Sequence, residues 1–189
     1  MVSITNAVFR TELLYPRWCP LDLQCLENCA IDSNKFHSVE LKKSKPHMLI
    51  LKHYLNNIVI FKSGKMRLMG CQIITANEAS VFLLRKLSKL FGPNVMLKPV
   101  IHQTTTAKYD FGESINLHKL YETINNSGTE NLTRRNRLEL ESFPALQLRM
   151  WDRVHVNVFS SGKVVMSGLK NINSVDIIIA DFIVYKQAV

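Results

Sequence analysis

Two short stretches pair an aromatic ring with a hydroxyl and a cation at the same spacing. Phe61 is followed by Ser63-Gly64-Lys65, and Phe159 by Ser161-Gly162-Lys163. A ring can stack on a base or wedge between bases, while a serine hydroxyl and a lysine ammonium can meet phosphate oxygens. The same residues also make an ordinary hairpin turn, because glycine accepts positive φ. The surrounding frame separates the two readings. A shift of ninety-eight positions, Phe61 onto Phe159, aligns Pro46 with Pro144 and Gly70 with Gly168 without a gap. Met48 then meets Leu146, Ile50 meets Leu148, Ile60 meets Val158 and Leu68 meets Met166. A shared SGK is weak by itself; a register held from Pro46 to Gly70 is an internal repeat.

Each copy needs elements to hold its hairpin. An alternating strand leads, "ITNAVFRTEL" in the first copy and "VIHQTTTAKYDF" in the second. Helical segments follow, "PLDLQCLENCAI" and "SINLHKLYETINN", with Asp22 and Ser114 as expected N-caps. After a polar connector come the strands around the hairpin and a closing helix. These last helices are "ANEASVFLLRKLSKLF", stopped by Gly92-Pro93, and "NSVDIIIADFIVYKQ". Each half reads β-α-β-β-β-α with room for one extra strand. The expected class is α+β, one curved antiparallel sheet from two pseudo-symmetric repeats, 1–94 and 95–189, with helices on one face.

Strand alternation assigns the faces. Val154, Val156 and Val158 point one way; His155, Asn157 and Phe159 point the other. In the first copy Ile58 and Ile60 oppose Asn57, Val59 and Phe61. Lys65, Arg67 and Met69 fall with Phe61, and Lys163, Val165 and Ser167 with Phe159. The uncovered face therefore carries rings, amides and cations on a chain of net charge +9 and pI about 9.5. That combination suits nucleic acid.

Other classes find little support. The 189 residues, 47% hydrophobic, are enough for a real core. No apolar run approaches bilayer length, and "MVSITNAVFRTELL" has no basic segment ahead of a long apolar stretch, so neither a membrane partner nor a secretory leader is expected. Cys19, Cys25, Cys29 and Cys71 fit no common zinc spacing and read as free thiols in a reduced compartment. In that setting the Asn131 sequon carries no meaning. No cofactor motif, phosphate loop, zinc-helix motif or nucleophile elbow appears, and His102, His118 and His155 form no catalytic set. An enzyme is not expected.

"FPALQLRMWDRVHVNVFSSGKVVMSGLK" and "NIVIFKSGKMRLMGCQ" resemble the second- and first-repeat segments of the TATA-box-binding protein (TBP) family. The resemblance runs through essentially the whole chain, with divergent, longer connectors; the expectation is a divergent member, with a viral source as a conjecture beside it. It implies a saddle whose concave sheet grips the minor groove of AT-rich promoter DNA, unwinds it and bends it toward the major groove. Ring pairs wedge between base steps, a mode for which this family is the standing example. Flexible TA steps ease the bend, and the groove offers mainly an A·T-versus-G·C code.

The resemblance assigns DNA-binding residues one by one. Phe143 and Phe159 match the second-repeat wedges, and Phe61 the inner wedge of the first. The outer partner of Phe61 falls at Lys45, which cannot wedge as a ring does; Phe36 lies at the wrong spacing to replace it. Asn6 matches the central asparagine, whose second-repeat mate falls at Thr104. Val8 and Thr106 match the next groove positions. Ser63, Lys65, Ser161 and Lys163 match hairpin contacts to the backbone. Arg67 and Met69 depart from the family pattern where Val165 and Ser167 hold closer to it. Arg149 and Lys170 match basic positions that are Leu51 and Gln72 in the first copy. The departures gather in the first repeat.

Partners follow from the same resemblance. Glu139 and Glu141 stand where the family meets a transcription factor IIB-like protein, and the RNA polymerase machinery would lie beyond it. The helices carrying Arg85, Lys86 and Lys89 would be open to others. The expected place is the nucleus, or a cytoplasmic viral factory for a viral chain. Two further readings keep the fold: a nucleic-acid-binding module that does not bend TATA DNA, and a protein-interaction scaffold.

Overall fold

The computed structural model describes residues 2–14, 21–70, 73–127, 136–150, 153–171 and 173–187. Cys19, Cys71, Gln72 and residues 128–135 of the second polar connector, Asn131 among them, lie outside them. The chain divides into two compact units, Asn6–Gln103 and Met1–Thr5 with Thr104–Val189.

The first repeat runs β1 (Ser3–Glu12), α1 (Leu23–Asp32), β2 (Ser38–Lys42), β3 (Met48–His53), β4 (Asn56–Phe61), β5 (Lys65–Gly70) and α2 (Ala76–Phe91). Its strands lie in the order β2-β3-β4-β5-β1, all antiparallel. The second repeat runs β6 (Ile101–Asp110), α3 (Leu117–Asn126), β7 (Arg137–Leu138), β8 (Ala145–Arg149), β9 (His155–Phe159), β10 (Lys163–Leu169) and α4 (Ser174–Gln187). Its order is β6-β10-β9-β8-β7, again antiparallel. The extra strand allowed by the sequence is β2 in one unit and β7 in the other.

Local chemistry sets the helix ends. The Asp22 carboxylate accepts from the Gln24 and Cys25 backbone N–H groups at 2.9 and 3.0 Å, capping α1. Thr75 and Glu78 form a reciprocal capping box on α2, and those backbone donors hold the Glu78 carboxyl below its ordinary pKa. Gly92, at φ 85°, ends that helix. The cap of α3 is Asn116, which accepts from the Lys119 N–H at 3.1 Å; Ser114 does not serve. The chain stays extended through Ile115 because its N–H donates to the Ser160 carbonyl at 2.8 Å and its side chain is buried.

In each unit the helices cover one face of the sheet. Leu49, Leu51, Ile58, Ile60, Met66 and Leu68 pack in one cluster with Leu23, Leu26, Leu83 and Leu87. Val156, Val158, Val164 and Met166 pack with Leu117, Leu120, Ile178 and Phe182. Burying one such side chain contributes roughly 1.5–3 kcal/mol. Phe36 joins the first cluster, so it is drawn into packing rather than toward the uncovered face. The stretch 92–100 also folds back on β1: Lys98 N–H donates to the Glu12 carbonyl at 2.8 Å, and Thr11 Oγ1 to the Lys98 carbonyl at 2.7 Å. These bonds tie the stretch to β1 within the first compact unit.

The two hairpin glycines share positive φ, 82° at Gly64 and 84° at Gly162. A Cβ on Gly64 would meet nothing closer than 3.9 Å, whereas one on Gly162 would lie 2.0 Å from the Glu113 carbonyl oxygen. Gly64→Ala is expected to lose about 1 kcal/mol from backbone strain alone. Gly162→Ala should lose clearly more, because backbone must move. Denaturant midpoints check this; equal losses would remove the Glu113 contact as the cause.

Candidate nucleic-acid interface

Register fixes which side chains share the uncovered faces. In the first-repeat unit, Val8 pairs with Met69 and Arg10 with Arg67 across β1 and β5, while Asn57 pairs with Met69 and Val59 with Arg67 across β4 and β5. Lys65 and Arg67 are exposed; Asn6, Val8, Asn57, Phe61 and Met69 are half-buried. Ser63 is exposed at the hairpin tip and Lys45 on the preceding loop. Val59 shares the strand parity of Phe61 yet is only 5% exposed, flanked across the ladder by Ile50 and Arg67.

The Arg67 guanidinium lies over the Phe61 ring, its Cζ 5.8 Å from the centroid. That cation–π contact covers part of the ring a wedge would use. Around the pair is a concavity of about 840 Å³ whose lining includes Arg10, Lys45, Phe61, Lys65, Arg67 and Lys98. Glu12 reaches into the same wall, and its carboxylate takes the Lys98 ammonium at 2.9 Å.

The second-repeat face differs in kind. Phe143 and Phe159, both half-buried, stand 6.2 Å apart between centroids and inclined at 57°. Asn157 pairs with Val165 and His155 with Ser167 across β9 and β10, and Thr106 faces Ser167 from β6. Lys163, Ser161 and Lys170 are exposed; Arg149 is half-buried at the end of β8. The Thr104 hydroxyl is enclosed and has no hydrogen-bond partner among the described residues.

Strand parity extends the set beyond the residues singled out from the sequence. Arg10 and Lys108 lie one alternation past Val8 and Thr106, at matching places in the two repeats. The signal was the same two-residue alternation that placed Asn6 and Phe159, carried one step further.

Glu139 and Glu141 are exposed on the loop before Phe143. Arg137 pairs with Glu139, and that hydrogen bond holds the Glu139 carboxyl below its ordinary pKa. Ser142 Oγ donates to the same residue's carbonyl at 3.1 Å, closing a turn. The loop borders a concavity of about 510 Å³ with His118 and Leu138. Among the described residues no group of three or more His, Cys, Asp or Glu side chains gathers to hold a metal, and no helix is long and apolar enough to cross a membrane. Cys25 and Cys29 are free and exposed.

Fold and site together define an α+β repeat protein that leaves one sheet face per repeat open, with rings and cations on it. The family description "Transcription factor TFIID (or TATA-binding protein, TBP)" matches residues 100–185. The chain is 33% identical over 156 residues to the TATA-box-binding protein of Sulfurisphaera tokodaii, covering 79% of this chain and 70% of that one. It is 32% identical over 176 residues to that of Methanocaldococcus jannaschii, covering 90% and 85%. The solved Methanococcus jannaschii TBP has the same fold, with a TM-score of 0.71 at 23% identity over 100% of this chain and 99% of that one. This chain belongs to the TATA-box-binding protein family. The family description covers the second repeat, which is also where the face keeps its paired rings.

If Lys163 meets a phosphate, Lys163→Ala will weaken duplex binding by a similar factor on every sequence. The slope of log affinity against log salt will fall by about one. An unchanged slope would remove Lys163 from the contact set.

Proposed function

We propose that this chain is a non-enzymatic transcription initiation factor that binds the minor groove of AT-rich promoter DNA through its uncovered sheet faces and bends it. The observation that carries the reading is the Phe143–Phe159 pair, two rings 6.2 Å apart on a face without helices. Half-exposed rings beside exposed cations make poor solvent contacts and good base contacts. Asn6, Val8, Met69, Thr106, Val165 and Ser167 present uncharged apolar and polar groups that suit a donor-poor groove. Ser63, Lys65, Arg149, Ser161, Lys163 and Lys170 supply contacts to the sugar-phosphate backbone.

Energy transfer between dyes on the ends of a TA-rich duplex tests the bend, with a GC-rich duplex as control. Transfer should rise with protein on the TA-rich duplex alone. Phe159→Ala should reduce that rise more than it reduces nonspecific binding. Equal losses in both would count against a wedge. Binding with no rise at all would favour the non-bending module, the reading suited to Lys45 and to an Arg67-covered Phe61.

A second contact is proposed at the 139–142 loop. Glu141 forms no ion pair among the described residues, and Glu139 has one exposed partner. Both carboxylates therefore remain available to a basic surface, here a transcription factor IIB-like protein that leads to the polymerase machinery. Replacing both by Gln should leave duplex affinity unchanged and abolish the ternary complex in a gel-shift titration. Loss of duplex binding instead would sink this assignment.

A further inference from the structure

We propose that the concavity of the first repeat is a phosphodiester-binding site built on Arg10 and Arg67. The inference rests on the nucleic-acid reading above and assigns its first repeat a grip by charge. Arg10 and Arg67 are direct cross-strand partners on β1 and β5, both exposed on the uncovered face. Like charges directly opposite one another on a sheet repel and destabilise it. Neither guanidinium has an ion-pair partner among the described residues. The nearest carboxylate in register, Glu12, faces Lys65 and is held by Lys98 at 2.9 Å. Lys45, Lys62 and Lys65 complete a cationic rim around the pair.

The second repeat isolates the feature. At the matching register Lys108 faces Val165, one cation opposite a methyl surface. The doubled charge is thus a property of the first repeat alone, and the fold does not require it. An anion between the two guanidinia relieves their repulsion. Each guanidinium offers a fork of N–H donors to oxygen pairs, and a phosphodiester presents two free oxygens that both forks can share. The Phe61 ring beneath Arg67 holds that side chain in place.

Arg67→Val, which copies the Val165 arrangement, and Arg10→Gln test the site. In phosphate-free buffer each should melt at a temperature equal to or above the wild type, because the repulsion is gone. Each should also lower the salt slope of duplex binding by about one, shrinking the affinity ratio between 50 and 200 mM salt by about threefold to fourfold. Sodium pyrophosphate should raise the melting temperature of the wild type more than that of either variant. An unchanged slope, or a lower melting temperature in both variants with no difference in pyrophosphate response, overturns the site. A slope unchanged while base preference shifts would mean that the guanidinia read bases, which also overturns it. If the wild type ignores duplex DNA but keeps the variant-sensitive pyrophosphate response, the DNA reading fails and the anion site stands with free polyphosphate as its source. If duplex bends normally and every slope is unchanged, the DNA reading stands and the anion site falls.

Discussion

Successive side chains on a strand point to opposite faces, and in each unit helices bury only one of those faces. The side chains that the sheet leaves for a partner depend on that one-sided cover. On β9, Val156 and Val158 are fully enclosed while Asn157 and Phe159 stand on the other side. A slip of one residue would bury the ring and expose the valines. The hairpins oppose that slip: the Gly64 and Gly162 N–H groups each close a turn onto the preceding Phe carbonyl at 2.9 Å. Packing and presentation are therefore set by the same register.

Within that shared frame the two repeats have parted in chemistry. The second keeps two rings close together, with single cations around them. The first has one ring, covered by a guanidinium, in a concavity whose wall carries six lysine and arginine side chains among Glu12 and apolar and neutral ones. Rings act through stacking and shape, which depend on the deformability of the base steps. Cations act through phosphate charge, which is indifferent to sequence and sensitive to salt. Under the proposed function these would be two separable handles on one polymer. The core tolerates the difference because none of these residues belongs to the helix-facing set.

Much of this was legible in the residues. The repeated hairpin, the alternation around it and the Asp22 cap all follow from short-range rules, and the structure has them. Ser114 misled because a serine two residues early looks like a cap, while Asn116 takes that role once Ile115 is tied to the Ser160 carbonyl. Phe36 has no local pattern to say that it would join the core. Val59 has the parity of an open-face residue, yet its ladder neighbours enclose it.

By itself, then, the sequence determined the two repeats, their strands and helices and the side of each strand on which a residue falls. Those features depend on neighbours within a few residues or on a copy that can be aligned. Only the tertiary structure decided that Arg10 stands opposite Arg67, that Arg67 lies over Phe61, and that Lys98 occupies Glu12. The first and last of these contacts join segments far apart in the chain and the second crosses a hairpin; in all three, register and the direction of long side chains are fixed by packing rather than by a local pattern.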